Sequence, residues 1–347
     1  MAQFKKASDI KVGCIGYGGV GPNGMGRNHL NEMVRAGMTP VAVCELNPER
    51  LKLAQEQFPG IIPYTNVADM LKKSDVNLLA IITPHSAHAP LALQCLRAGR
   101  HAVCEKPMAI TTAECDAMIK EAAKRKLVVS TYHNRHWDGQ IRETLRHVDK
   151  GQIGDIMRVE CRFPTGYRKP GETWRSSMSM SGGILYDWGV HLIEWALQVI
   201  KSDIVEVSGY GHSGFWANQT SWKKDGIEDE ATAVVRFKSG CMLTLRLSNV
   251  DCNERSALLE CVGTKGQYYF DWMGWELTTH PVENENLVHK GKNPGNESEK
   301  FYQNIADHLT KGTPLVITGE FARRPIHILD LAVKSAKLGK ALPAKYK

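Results

Sequence analysis

Two periodicities divide the chain. From Ile10 to Thr131, short apolar runs alternate with stretches of helical period. The runs at 10–15, 40–44, 61–64, 78–82, 101–104 and 127–131 read as strands, with 78–82 apolar throughout, as a strand buried on both faces is. The stretches at 27–36, 48–57, 67–72, 88–98 and 112–124 read as helices. Gly99 is placed to end one helix, and Thr111 or Thr112 to cap another. Strand and helix in regular alternation predict a doubly wound, mostly parallel α/β sheet.

Beyond a helix at 138–148 the pattern changes. From Met157 onward the strand-like runs are longer and alternate in and out, at 205–210, 231–237, 241–248, 257–262 and 267–270. Lys238-Ser239-Gly240 and Thr264-Lys265-Gly266 supply turns between them. Helices are expected at 184–200, 301–310 and 325–338, and the polar stretch 281–299 is expected to be a surface loop. The prediction is a second, α+β domain with a large, mostly antiparallel sheet. The boundary is set between 1–133 and 134–347, with the C-terminal helix packing back on the first domain.

A chain of 347 residues favours two cores over one. Apolar content of 42% and charged content of 23% are those of a globular protein. No apolar run reaches ~20 residues, so no membrane span is expected. The N-terminus has no apolar signal region, so no secretory leader is expected. Nine cysteines sit mostly inside apolar runs and form no Cys-x-x-Cys pair, which suits buried thiols in the cytoplasm and no metal. The net charge of +7 is spread along the chain without aromatic interleaving, so no nucleic-acid partner is expected.

Gly16-Tyr17-Gly18-Gly19-Val20-Gly21 follows the first strand and has the Gly-x-Gly-x-x-Gly form. Such glycines allow a tight turn, close approach to a pyrophosphate and helix packing, with the helix N-terminus facing phosphate. Gly21-Pro22-Asn23-Gly24 is itself a turn signature, so the helix starts near Met25 and the packing glycine is either Gly21 or Gly26. Glu45 ends the second strand 19 residues after Gly26 (45 − 26), near the spacing of a ribose-binding acid. A carboxylate there favours NAD over NADP; the alternative is that Glu45 caps the following turn, and Arg50 close by keeps NADP open. Thr83, Pro84, His85 and His88 follow the 78–82 strand and should border the same crevice; no acid or cysteine accompanies the histidines, so no metal is assigned.

Glu105-Lys106-Pro107 closes the 101–104 strand. A lysine at a strand's carboxyl end in an open α/β sheet is a charge aimed at a ligand. Downstream, Gly182-Gly183 opens an apolar helix whose polar residues Asp187, His191, Glu194 and Gln198 recur at helical spacing. That stripe is either a solvent face or a cleft edge in which His191 takes a proton and Asp187 orients it. Removal of a hydroxyl proton during alcohol oxidation suits such a base, with Lys106 stabilising developing alkoxide. Trp174 and Arg175 precede this segment and are placed as pocket lining; Tyr167 and Arg168 are weaker candidates, equally placed as surface loop.

These motifs taken in order make the chain similar to the glucose–fructose oxidoreductase / inositol dehydrogenase (Gfo/Idh/MocA) family. The likeness rests on the glycine turn followed by Arg27-Asn28-His29, Thr83-Pro84 with His88, Ala98-Gly99-Arg100-His101 running into Glu105-Lys106-Pro107, and Asn134-Arg135. It continues through Gly151-Gln152-Ile153-Gly154, Gly182-Gly183 with Asp187-x-Gly189-x-His191, Glu228-Asp229 and Gly263-Thr264-Lys265-Gly266. The resemblance implies a Rossmann domain joined to an open-faced sheet domain that often forms the oligomer interface, here a homodimer or homotetramer. It implies hydride transfer between nicotinamide and a secondary alcohol of a sugar, cyclitol or glycoside. Lys106 would contact substrate hydroxyl and nicotinamide ribose, with Asp187 and His191 completing the proton-transfer site and the Lys106-Pro107 bond often cis. The cofactor set is then Gly16, Gly18, Gly19, Val20, Gly26, Glu45, Thr83, Pro84, His85, His88, Glu105, Lys106 and Asn134. The substrate set is Lys106, Arg135, Trp174, Arg175, Asp187 and His191. The glycine loop is longer than the family's usual one, and His85 stands where Asn is frequent.

Three activities compete on this reading: an NAD-dependent dehydrogenase, a redox-neutral enzyme that oxidises and re-reduces its substrate around an elimination or epimerisation, and a nicotinamide-sensing regulator without catalysis.

Overall fold

The computed structural model describes residues 3–18, 24–252, 257–282 and 285–344. The chain divides into two compact units: 1–134 with 299–323, and 135–298 with 324–347.

The first unit runs β1 (Lys11–Ile15), α1 (Met25–Arg35), β2 (Thr39–Cys44), α2 (Pro48–Gln57), β3 (Ile62–Tyr64), α3 (Val67–Lys73), β4 (Leu78–Ile81), α4 (His88–Arg97), β5 (His101–Cys104), α5 (Thr112–Arg125) and β6 (Val129–Thr131). The six strands are parallel in the order β3-β2-β1-β4-β5-β6. That is the doubly wound order with its switch point between β1 and β4, where ligands bind outside the strands' carboxyl ends. Every residue of β4 and β5 is buried. The uninterrupted apolar run of β4 reflects helices covering both faces.

The second unit contains α6 (Gly139–Asp149), β7 (Ile156–Pro164), α7 (Met178–Ser181), α8 (Gly189–Val199), β8 (Ile204–His212), β9 (Glu230–Phe237), β10 (Met242–Ser248), β11 (Leu259–Gly263), β12 (Gly266–Phe270), β13 (Gly274–Val282) and β14 (Glu285–Lys292). After α9 (Lys300–Lys311), which belongs to the first unit, come α10 (Gly319–Leu338) and β15 (Leu342–Pro343). The nine-stranded sheet runs β14-β13-β12-β11-β7-β10-β9-β8-β15 and is antiparallel except where β7 meets β10. Val159 and Cys161 of β7, with Leu243, Leu245 and Leu247 of β10, point into a core that includes α8. Arg158, Glu160, Arg162, Thr244 and Arg246 alternate with them on the open face. Period-two alternation follows from one covered face.

Three expectations need correction. The stretch 281–299 is not all loop: β14 pairs along β13. Nearly all of β14 is exposed, so no apolar alternation marked it, and backbone pairing with the Lys290–Glu276 ion pair at 2.8 Å forms it instead. The 184–200 helix is broken: residues Ile184–Tyr186 are a 3-10 turn, and α8 starts at Gly189. The helix expected from Pro325 begins at Gly319 and carries Pro325 inside it. The segment that joins the first unit is α9 with the opening of α10, through Gln3 N–H to Leu309 O at 2.7 Å and Ser130 Oγ to Ile317 O at 2.7 Å.

Candidate functional site

In the first unit the carboxyl ends of β1, β2, β4 and β5 carry the expected cofactor residues. Gly16 has φ +81, and a Cβ there would lie 2.1 Å from Ile82 O at the end of β4. Gly18 has φ +78. Both positions need glycine, one for space and both for backbone sign. A Cβ on Gly26 would lie 2.5 Å from Tyr17 O and 2.7 Å from Tyr17 Cα. Gly26 is therefore the glycine that lets α1 close on the turn, and α1 starts at Met25 as the turn signature required. Gly19 and Val20 lie outside the described residues. A cradle of bare backbone ahead of a helix N-terminus fits a pyrophosphate.

Glu45 follows the end of β2 and is held by backbone donors. Its Oε2 accepts from Tyr17 N–H at 2.9 Å, and its Oε1 accepts from Leu46 and Asn47 N–H at 2.8 and 3.0 Å. Arg50 Nη1 lies 3.7 Å from Oε2. The carboxylate thus caps the turn after β2 and ties it to the glycine loop. One acceptor position on Oε2 is left for a ligand hydroxyl beside Arg50.

Glu105-Lys106-Pro107 is held from two sides. The Lys106-Pro107 bond is cis, as the resemblance implied. On one side Glu105 Oε2 accepts the Lys106 backbone N–H at 2.8 Å, and Oε1 lies 3.1 Å from His29 Nε2 on α1. The other His29 nitrogen, Nδ1, lies 2.5 Å from Tyr302 Oη on α9. Burial pushes the Glu105 carboxyl up, but the His29 hydrogen bond, the nearby Lys106 charge and the Lys106 N–H outweigh it and hold it below the usual range. On the other side His88 Nδ1 lies 2.7 Å from Pro107 O and Nε2 lies 3.0 Å from Thr83 O. His88 is fully buried, and burial lowers its pKa. Glu105 and His88, expected among the cofactor contacts, lie against the strand ends that carry Lys106 and Thr83. His85 is 3% exposed, packed with its ring 5.8 Å from that of His88.

In the second unit, Gly182 and Gly183 have φ +92 and +120. The Glu228 carboxylate receives the N–H of Ile184 at 3.0 Å, and a Cβ on Gly183 would lie 2.7 Å from that carboxylate. Burial raises the Glu228 pKa. This junction stops α7, starts the short 3-10 turn and delivers Asp187 just ahead of α8. His191 follows one turn later and is buried. Arg175 Nε approaches Asp187 Oδ1 at 3.9 Å while its guanidinium lies 4.5 Å over Trp174. Arg135 lies 4.8 Å over Trp188 and 5.6 Å over Trp272, and donates to Asp138 at 2.8 Å. Trp188 stacks on Phe163 at 4.1 Å.

The polar stripe of Asp187, His191, Glu194 and Gln198 is no solvent face, because His191 and Glu194 are 4% and 1% exposed. Its C-terminal half holds the 3-10 turn Asn134–Trp137: Glu194 Oε1 meets His136 Nδ1 at 2.6 Å, and Gln198 Nε2 donates to His136 O at 3.4 Å. Trp195 Nε1 donates to Arg135 O at 2.8 Å. So Asp187, His191, Arg135, Trp174 and Arg175 share the second unit, while Lys106 and the glycine loop belong to the first. Asn134 ends the first unit. Tyr167 meets Phe215 and Trp216 by ring contact, and Arg168 N–H donates to Asn249 O at 3.0 Å, so both serve loop packing. Sequence reading missed Tyr302, Trp188 and Trp272. Glu228 was marked only within the family motif, and Tyr302 sits 273 residues from His29 with no local signal. Among the described residues no group of three or more His, Cys, Asp or Glu side chains could hold a metal ion.

Comparison with known proteins places the chain. Residues 10–133 match the oxidoreductase family with an NAD-binding Rossmann fold, and residues 141–269 match the GFO/IDH/MocA C-terminal domain. The chain belongs to the Gfo/Idh/MocA oxidoreductase family. Within it, a myo-inositol 2-dehydrogenase of Thermotoga maritima is 25% identical over 264 residues, covering 76% of this chain and 75% of that protein. An uncharacterised oxidoreductase of Schizosaccharomyces pombe is 29% identical over 148 residues, but the match spans only 42% of this chain and 40% of that protein's length. The structure of an NAD-binding protein from Listeria innocua shares the fold, with a TM-score of 0.82 and 22% identity over 96% of this chain and 97% of that one.

Proposed function

We propose that this protein is an NAD-dependent dehydrogenase that moves a hydride between nicotinamide and a secondary alcohol of a sugar, cyclitol or glycoside. The observation that carries the reading is Lys106 at the carboxyl end of β5, on a segment fastened by Glu105 and His88, at the same edge of the parallel sheet as the Gly16–Gly18 turn after β1. The similarity to an inositol dehydrogenase supports a polyol substrate. A dinucleotide held at the Gly16–Gly18 turn would supply the hydride acceptor. His191 takes the hydroxyl proton, Asp187 partners it, and the Lys106 ammonium stabilises oxygen as it becomes anionic. Glu45 supports NAD over NADP, since a carboxylate at the end of β2 repels a 2′-phosphate. Gly19, Val20, Thr83, Pro84, His85, His88, Glu105 and Asn134 complete the proposed cofactor shell, and Arg135, Trp174 and Arg175 the substrate shell. None of the nine cysteines is in a disulfide and all but Cys252 are buried, which supports a cytoplasmic location; no described helix is long and apolar enough to cross a membrane. We assign the open face of the nine-stranded sheet to a homodimer or homotetramer contact, checked by light scattering.

The test follows absorbance at the NADH wavelength while the protein and NAD meet a panel of hexoses, inositols and glycosides. Turnover on at least one polyol is expected, reduced by about 10²–10⁴ in Lys106→Ala and in His191→Ala. The double variant should lose much less than the product of the single losses, because groups acting on one hydroxyl are not additive. No turnover on any of the panel, with NAD bound, sinks the reading. Substrate consumed without net NADH moves it to redox-neutral chemistry.

A further inference from the structure

The geometry points to Tyr302 and His29 as positioning residues: Tyr302 selects the His29 tautomer that holds the Glu105 carboxylate against the Lys106 backbone. This rests on the proposed role of Lys106. An ionised carboxylate only accepts hydrogen bonds, so the His29 Nε2 that lies 3.1 Å from Glu105 Oε1 must carry the hydrogen. In a neutral imidazole the other nitrogen is then an acceptor, and a donor opposite it selects that tautomer. The Tyr302 hydroxyl is that donor, and burial pushes its pKa well up, so it keeps its proton at working pH. His29 is fully buried, with the Tyr132 ring 4.1 Å from its own, and Tyr302 is fully buried as well. In the opposite tautomer the Nε2 lone pair would face the carboxylate lone pairs. Glu105 would turn away or take up a proton, and the Lys106 N–H would lose its acceptor. A residue of α9, late in the chain, thereby reaches the Glu-Lys-Pro segment through one imidazole.

The test uses the full chain with NAD, labelled with ¹⁵N at histidine; the His29 signals are those lost in His29→Gln. In the wild type the protonated, pyrrole-type nitrogen should be Nε2. Tyr302→Phe keeps the ring that packs on Tyr132 and removes only the hydroxyl. There the single-tautomer signal should be lost, and kcat should fall about 10-fold, as for loss of an orienting partner behind a reacting group. KM for NAD should stay within about twofold, since neither residue is assigned to the cofactor. A wild-type His29 that is doubly protonated or protonated at Nδ1 overturns the proposal, as does a Tyr302→Phe protein with unchanged tautomer or unchanged kcat. The dehydrogenase reading fails separately: if no polyol is turned over, the tautomer pair alone decides whether Tyr302 controls His29.

Discussion

At the scale of single residues, the cofactor end of this protein is decided by what is missing from a side chain. Gly26 is the sharpest case, because α1 passes so close to Tyr17 that one methyl would strike main-chain atoms 2.5 and 2.7 Å away. Gly26→Ala should destabilise the first unit by about 1–3 kcal/mol, the usual cost of overpacking, and weaken NADH binding at least tenfold by fluorescence titration. A variant that melts and binds like the wild type would show that α1 does not close on Tyr17 at this position. The glycine pattern left these two open; only the path of α1 separates them. Glu45 teaches the converse. Its spacing marked it as a ribose contact, and its three backbone donors show that it also ties the end of β2 to the glycine turn.

At the scale of elements, what surrounds the Glu-Lys-Pro segment matters as much as the lysine. The chain leaving Pro107 enters α5 through a capping box, with Thr111 Oγ1 accepting from Glu114 N–H at 3.2 Å and Glu114 Oε2 accepting from Thr111 N–H at 2.9 Å. Thr111→Ala should cost about 1 kcal/mol and lower the melting temperature by roughly 2–4 °C, while NADH affinity stays unchanged. An unchanged melting curve would mean that the cap does not secure this end. Pattern reading found α5, its cap and the strands of the first unit because local capping and covered faces leave local marks. It failed at β14, which buries almost nothing, and at the break between Tyr186 and Gly189, where two left-handed glycines and a carboxylate 44 residues away set the geometry.

For the whole molecule, acid sensitivity follows from buried histidine. His101 on β5 uses Nδ1 to accept Val128 N–H at 2.9 Å, and burial first, then His308, pushes its pKa down from 6.5 to about 4. The unfolded chain takes up this proton below pH 6.5 and the folded chain does not until about pH 4, so stability is lost as pH falls across that window. The loss is on the order of 3 kcal/mol, at about 1.4 kcal/mol per unit. Glu105, held below its usual range, adds a loss of the same sign at still lower pH, whereas Glu228, raised by burial, opposes it. Melting between pH 7 and 4.5 should show the decline, and His101→Gln should flatten it; a parallel decline in the variant would assign the effect elsewhere. By itself the sequence determined the alternation of strand and helix, the glycine turn, the lysine at a strand end and the Asp-x-x-x-His pair, because each is written in neighbouring residues. Only the tertiary structure decided that Gly26 packs α1, that half of the polar stripe is buried against the Asn134–Trp137 turn, and that α9 joins the first unit to bring Tyr302 to His29. Those outcomes depend on segments far apart in the chain, whose meeting is set by packing and by the need to satisfy buried polar atoms, and no local pattern records it.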